Sequence, residues 1–357
     1  MIYIAAAFVA TRIALALTIV CALAFLVPAC QSCVDASTNT FLSGLTRWDA
    51  TAYVDIARNG YAGQDPSNGA YSPLYPLLIA IGGRLLGGSP DAFVIAGALI
   101  ANAALLVALV LLERFARSFV DAGAARRAVM YVLVFPSTVF LSAPYAESLF
   151  LALAIASALD AERGLWMRSG VLAALAAFTR PFGAIAAIPL AFELWRARTA
   201  ITAGTWLALA FAPLAFFAWS AYLASLSGDP LQVLHVYRSW GSSPRSPLQA
   251  FADLFDPAIY GFPWIVLGLI VLFVALVIAS WRIVGPAYGA LGTALVLVVT
   301  SSGSLTSSMR YELAIYPAFI TLAALLRSTA LNVAWTAASA ILALVLTAMY
   351  ALWLWIG

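Results

Sequence analysis

The stretch RWDATAYVDIARNGY, Arg47 to Tyr61, sets two arginines and two aspartates among aromatic and aliphatic residues. Wound as a helix at about 100° per residue, Leu42, Leu45, Ala52, Tyr53 and Ile56 form one stripe, and Arg47, Thr51, Asp55 and Arg58 form the opposite face. Asp49 falls inside the apolar stripe. A carboxylate withdrawn from water accepts a proton more readily than a solvated one unless an arginine holds it ionised, so Asp49 is the candidate general base. Candidate anion-binding groups lie further along. Arg180, in FTRPFG, stands between two apolar half-helices, where an unpaired guanidinium is costly. It either binds an anionic ligand or pairs with a buried acid such as Glu147. Arg310 precedes a helix starting near 312 and reads as an anion ligand or an interfacial flank, and Arg238 is a further candidate. Glu147 follows Pro144 in the first turn of a helix, where a carboxylate complements the macrodipole whatever else it does.

The elements that must position these groups are membrane helices. Of 357 residues, 64% are hydrophobic and only 9% charged, which places the chain among polytopic membrane proteins. All the basic residues except the single histidine are arginine, and a net charge of +3 with no dense basic cluster leaves no case for nucleic acid. The first apolar run exceeds the h-region of a signal peptide and reads as a retained spanning helix, with Arg12 snorkelling to its rim or lying within the bundle. Further crossings are expected near 92–113, 128–141, 147–160, 201–224, 262–281, 286–301, 312–326 and 331–356. Several fall short of the roughly 20 residues of a perpendicular span. The run 72–88 is expected to be short, re-entrant or interfacial, and 170–194 to be broken at Thr179-Arg180-Pro181. Arginine-rich connections containing Arg114, Arg117, Arg126, Arg127, Arg163, Arg168, Arg196, Arg198, Arg282 and Arg327 are assigned to the cytoplasm. Segments 30–70, 135–146, 225–261 and 302–311 then lie together outside, and the candidate chemistry lies with them.

RWDATAYVDIARNGY followed by YSPLYP resembles the WD-x-x-(H/Y)-x-x-I-A-x-x-G-Y … F-P-L-Y-P pattern of the PIG-V (GPI mannosyltransferase 2) group and its bacterial relatives. FPSTVFLSAPYAESLF (135–150), FTRPFG (178–183), GDPLQVLHVYRSWG (228–241) and SMRYELAIYP (308–317) agree in order, so the resemblance spans nearly the whole chain. It implies a GT-C glycosyltransferase: one all-α polytopic domain over 1–357, of about 9–11 transmembrane helices, with an amphipathic surface helix in the extracytoplasmic first loop. Such an enzyme moves a hexose, here mannose, from a polyprenyl-phosphate carrier to an extracytoplasmic lipid, glycan or protein acceptor, without a cofactor. Asp49 matches the catalytic carboxylate of the first loop. Arg180, Arg310 and Arg238 are then phosphate ligands, and Arg47, Trp48, Tyr53, Tyr71, Tyr145, Glu147, Trp240 and Tyr311 are expected to contact substrate. An Ala/Arg-rich, Lys-free chain of this length points to a bacterial plasma membrane.

Other classes fit less well. A transporter or flippase of a lipid-linked substrate needs polar groups reachable from both sides, and no internal repeat is evident. An acyl- or phosphotransferase wants a His or Ser nucleophile constellation that is missing. There is no GxxxxGK phosphate loop, no DxD pair, no HExxH and no histidine cluster, so no metal site is expected. His235, the only histidine, reads as an exposed loop residue, and Cys30 and Cys33 of CQSC as structural or incidental, with a disulfide permitted in an oxidising compartment.

Overall fold

The computed structural model describes residues 2–30, 33, 36, 37, 39–236, 247–256, 262–301, 305 and 307–356, and within them every regular element is helical. A first long helix, α1 (Ile2–Phe25), is followed by α2 (Thr40–Leu45), α3 (Asp49–Asn59) and α4 (Leu74–Leu85). Then come α5 (Pro90–Ala116), α6 (Ala122–Leu133), α7 (Glu147–Glu162), α8 (Trp166–Ala177) and α9 (Ile188–Arg196). The 3₁₀ turn Ala203–Ala210 runs straight into α10 (Phe211–Ser227), and α11 (Gln232–His235) and α12 (Pro247–Asp253) are short. The chain closes with α13 (Pro263–Ile283), α14 (Pro286–Ser301), α15 (Ser308–Glu312), α16 (Tyr316–Leu325) and α17 (Thr329–Ala351).

Local chemistry sets many of these boundaries. Ser89, Asp121 and Ser328 each accept a backbone N–H of the first turn of α5, α6 and α17, and prolines occupy the first turns of α5, α9, α13 and α16, where the missing N–H costs nothing. Among the described residues, five helices are long and apolar enough to cross a membrane: α1, α5, the continuous Ala203–Ser227 helix, α13 and α17. Their outward faces carry side chains such as Leu17, Phe217, Val271 and Ile278, which are more than half exposed, as a lipid-facing surface requires. α4, α14 and α16 are shorter apolar helices. The chain is an integral membrane protein of several transmembrane helices, with fewer full-length spans than the run count suggested, because many apolar runs are broken into pieces that pack inside.

Three expectations are corrected. The helix through 42–58 is interrupted at 46–48, so Asp49 opens α3 instead of sitting mid-stripe, and Arg47 is buried instead of facing water. The crossing at 128–141 ends at Leu133; residues 134–146 are an irregular, wholly buried segment containing one 3₁₀ turn, Thr138–Leu141. Arg12 does not snorkel to a rim. It donates to Ser142 Oγ at 2.7 Å, Thr138 Oγ1 at 3.2 Å and the Leu133 carbonyl at 3.4 Å, satisfying backbone and side-chain oxygens of that irregular segment. The run 72–88 is short, as expected, with 12 residues in α4, and the break expected in 170–194 separates α8 from α9 at Phe178–Phe182 and a 3₁₀ turn.

Contacts between the ends of helices define the two poles of the bundle. Ser37, beyond α1, donates to Asp91 at the start of α5 (2.5 Å), so the excursion through α2, α3 and α4 leaves and returns at one pole. The Ala29 N–H meets the Leu352 carbonyl at the same pole (2.8 Å), and Cys30 and Cys33 are bridged there. At the other pole, Arg126 lies over the Tyr3 ring, Arg127 donates to the Ala323 carbonyl and Tyr131 donates to Asn332. If the arginine-rich pole is cytoplasmic, then in a cysteine-free background a cysteine at exposed Gln64 reacts with an impermeant maleimide added to intact cells. A cysteine at exposed Thr199 reacts only after permeabilisation. The reverse labelling pattern would invert the orientation.

Candidate active site

The site lies at the pole formed by α3, the irregular segment 134–146, the break between α8 and α9, and α15. Three strands of local structure bring its charges together. Trp48, with φ 57° and ψ −126°, turns the chain sharply between α2 and α3. That left-handed backbone costs a non-glycine residue about 1 to 3 kcal/mol and persists only where surroundings dictate it. They do so here through Arg47. Its N–H reaches the Tyr350 hydroxyl (3.2 Å), its carbonyl accepts from Tyr145 (3.0 Å), and its Nε donates to the Ala351 carbonyl (2.9 Å). Asp49 is thereby fixed as the first residue of α3, where the helix dipole favours a carboxylate. Glu147 opens α7 in the same way. Ser137 Oγ donates to the Met309 carbonyl (2.6 Å), tying the irregular segment to the short helix that carries Arg310.

The charged groups alternate in sign. Arg310 forms an ion pair with Asp49 through Nη1, and its Nε stands 3.1 Å from Glu147 Oε1, within ion-pair range though not aligned as a hydrogen bond. Arg180 Nη1 meets the same Glu147 oxygen at 2.6 Å. Two guanidiniums therefore share one carboxylate oxygen, and Glu147 Oε2 is buried with no hydrogen-bond partner. Burial by itself would lower the Arg310 pKa; Asp49 and Glu147 more than offset it, so the guanidinium stays charged. Aromatic faces complete the cage: Arg180 lies 4.8 Å from the Phe182 ring and 4.9 Å from Tyr311, and Arg310 lies 5.3 Å from Tyr311 and 5.6 Å from Tyr145. Side-chain exposure is 3% for Glu147, 6% for Arg180 and 8% for Arg310, against 24% for Asp49. Asp49 is the member of the set that a ligand can reach most directly. Tyr71 donates to its second oxygen at 3.2 Å, and burial, reinforced by the Asp49 charge, pushes the Tyr71 pKa upward, so the phenol remains a neutral donor.

The constellation expected from sequence is thus assembled from four distant segments. Asp49, Glu147, Arg180, Arg310, Tyr71 and Tyr311 converge. Arg47 is buried against Trp353 and the end of α17 and positions Trp48 and Asp49 instead of lining the site. Tyr53 and Tyr145 are buried in a packed group of rings with Tyr71 and Tyr75, behind the charges. Arg238 and Trp240 lie outside the described residues. His235 is half-buried on α11 and paired with Asp229 at 2.6 Å, away from the set. Sequence reasoning missed Trp353 and Trp355, whose rings meet Trp48; their run, LWLWIG, was absorbed into the last crossing.

The site is therefore an accessible carboxylate beside two caged arginines at one pole of a membrane bundle of broken helices. Residues 2–220 match the model of the mannosyltransferase (PIG-V) family, and the chain belongs to that family. It is 34% identical to rat GPI alpha-1,6-mannosyltransferase 2 over 165 residues, which covers 43% of this chain and 32% of the relative. The mouse protein of the same name is 35% identical over 157 residues, covering 40% and 30%. The chain therefore aligns with about a third of the length of these curated relatives. In fold it is similar to ArnT from Cupriavidus metallidurans bound to undecaprenyl phosphate, with a TM-score of 0.53 at 15% identity, covering 89% of this chain and 58% of that one. The apo form of the same protein gives a TM-score of 0.50.

Because Glu147 is the shared counter-charge of two buried arginines, its loss leaves them facing each other. Glu147→Gln is expected to destabilise the protein by about 3 to 5 kcal/mol, as breaking a buried pair does. Thermal unfolding in detergent checks this, with Glu193→Gln, at an exposed ion pair, as the variant that loses little.

Proposed function

We propose that the chain transfers a hexose, mannose by family, from a polyprenyl-phosphate carrier to an extracytoplasmic acceptor with inversion at the anomeric carbon. The observation that carries this reading is the Asp49–Arg310–Glu147–Arg180 alternation with Asp49 outermost. An acceptor hydroxyl deprotonated by Asp49 attacks the anomeric carbon as the bond from that carbon to the phosphate oxygen breaks. The electron pair leaves with the phosphate and the proton stays on the Asp49 carboxylate. No acid need protonate this leaving group, because an anion departs and arginine stabilises it. Arg310 and Arg180 supply that charge: each holds its place through Glu147 and an aromatic face, and the Arg310 link to Asp49 is the one a phosphate would replace. Clustering of these groups at one pole favours transfer over transport, which needs access from both. The reading places the protein in a bacterial plasma membrane, with segments 30–70, 135–146, 225–261 and 302–311 outside.

An apolar groove of about 430 Å³ supports a lipid-linked donor. It runs between α3, α4 and α10, lined by Ile56, Tyr61, Leu77, Phe178, Trp219 and Tyr222 among others, with Arg84 at its wall. Two links lead from it to the charges. Phe178 is two residues before Arg180, and Tyr61 donates to the carbonyl of Tyr71, whose own hydroxyl touches Asp49. We assign this groove to the first isoprene units of the carrier.

Two outcomes test the reading. Asp49→Asn, which keeps shape and removes the base, is expected to lower turnover at least 100-fold, within the range of general-base loss, with the carrier KM not raised, since the substitution also removes the carboxylate that competes for Arg310. An Asp49→Asn enzyme with near wild-type turnover sinks the base assignment. Separately, Ala218→Trp projects an indole into the groove; it is expected to raise the KM for polyprenyl-phosphate-mannose several-fold while leaving a donor analogue without isoprene units unaffected. Equal effects on both donors would remove the groove from the tail-binding path.

A further inference from the structure

One buried acid has no place in the mechanism above. Glu312, the last residue of α15, is 2% exposed, and both of its carboxyl oxygens are buried with no hydrogen-bond partner. Ser308, one turn earlier, is 1% exposed, and its Oγ is likewise buried and unpartnered. At about 100° per residue these two fall on the side of α15 away from Arg310. Arginine and acid therefore leave one short helix in opposite directions.

Among the described residues, no cation is within ion-pair reach of Glu312. α13 and α14 pack on α15, and their titratable residues are Arg282 and Tyr288, both beside the turn that joins those two helices. The segment 134–146 contributes Tyr145, whose ring lies 5.6 Å from Arg310, and α16 opens with Tyr316, whose hydroxyl is also buried and unpartnered. On α15 itself, Arg310 is paired with Asp49 and Glu147, and Tyr311 lies against both Arg180 and Arg310. None of these groups is in hydrogen-bond or ion-pair contact with Glu312. A carboxylate stripped of water with no counter-ion is too costly to persist, so the group carries its proton, and even the unpartnered neutral acid costs more than an apolar side chain of its size. Packing alone gives no reason to bear that cost two residues from the arginine that links Asp49 to Glu147.

We propose that Glu312 is a proton-controlled latch on the helix that carries Arg310. With the proton in place, α15 is seated so that Arg310 meets Asp49 and Glu147. When the proton leaves to water, the carboxylate cannot stay in its apolar surroundings, and the guanidinium available to it on α15 is that of Arg310. α15 has five residues and is tied through the bond from Ser137 Oγ to the Met309 carbonyl, so it turns as one short unit. Arg310 is then drawn from Asp49 and Glu147 to Glu312. Glu312 is thus a positioning residue that acts through Arg310. A loss of donor affinity with the proton rests on the transfer reading above; the latch itself does not.

The test uses the full chain in lipid nanodiscs and infrared difference spectra of wild type against Glu312→Gln. At about pH 6 a carboxylic-acid C=O stretch is expected in the wild type that the variant lacks, and it should fade in a single one-proton step by about pH 9.5, since buried glutamates release their protons at up to about pH 9. Across that step Asp49→Asn should lose at least half of its effect on the melting temperature of an otherwise wild-type chain, and keep all of it in a Glu312→Gln background. The KM for polyprenyl-phosphate-mannose should rise at least tenfold across the same step in the wild type and less than twofold in Glu312→Gln. Four results overturn the proposal: absence of the band, a band that outlasts the alkaline end of the range, an Asp49→Asn effect equal on both sides of the step, or a KM that is flat in the wild type or rises equally in Glu312→Gln. A wild type that neither binds nor turns over the donor at any pH sinks the transfer reading instead, and the band and the melting temperatures then decide the latch. Glu312→Leu, equally neutral, replaces Glu312→Gln should that variant fail to fold.

Discussion

A guanidinium cannot remain in the dry end of a helical bundle without an anion, and much of this structure follows from meeting that demand twice in one place. Arg180 and Arg310 are both buried, and one oxygen of Glu147 serves both. The second anion for Arg310 is Asp49, which alone of the four keeps substantial contact with the surface. The site is therefore electrically balanced inside and left with one reactive edge outside. A phosphate that approached Arg310 would compete with Asp49 for it, and would release the carboxylate as it bound. Under the proposed function, ligand binding and the readiness of Asp49 as base would be two sides of a single exchange.

Broken helices are the architectural consequence. Charges can be held at depth only where irregular backbone is shielded by protein, and each of the four residues sits at such a place: the turn at Trp48, the segment 134–146, the gap between α8 and α9, and the short α15. Arg12 shows what the arrangement requires elsewhere. It spends its donors on the oxygens of 134–146, so that the segment carrying Tyr145 and leading into Glu147 has its exposed carbonyl and hydroxyl groups satisfied without water.

Much of this was legible in the sequence. The ordered motifs singled out Asp49, Glu147, Arg180 and Arg310, and the cost of burying arginine left Arg180 two readings, an anionic ligand or a pair with an acid such as Glu147; the pair is the one the structure contains. Pro181 marked the break between α8 and α9, and the proline-poor run 92–113 gave a long helix. What could not be read depends on distant contacts. Nothing in Thr46-Arg47-Trp48 breaks a helix by propensity; the break is held by the hydroxyls of Tyr145 and Tyr350. The run 128–141 looked like a crossing because it is mostly apolar, yet Pro136-Ser137-Thr138 interrupt it and its apolar residues are buried in protein, which periodicity does not distinguish from lipid. Trp353 and Trp355 lay inside the last apolar run and carried no separate signal; only the turn after α17 brings their rings to Trp48.

The ion pairs also impose an order on biogenesis. Glu147 and Arg180 are 33 residues apart and can neutralise each other while the chain is still being inserted, whereas Asp49 waits for an arginine 261 residues further on. Until α15 emerges, Asp49 lacks the arginine it pairs with in the finished fold, and until α17 is complete Arg47 lacks the Ala351 carbonyl to which its side chain donates. The first loop, with Asp49, is thus translated among the first segments and completes its contacts among the last. Insertion machinery and quality control would meet it as a loose, anionic flap for most of the synthesis, and an interrupted chain would be recognisable by that flap alone.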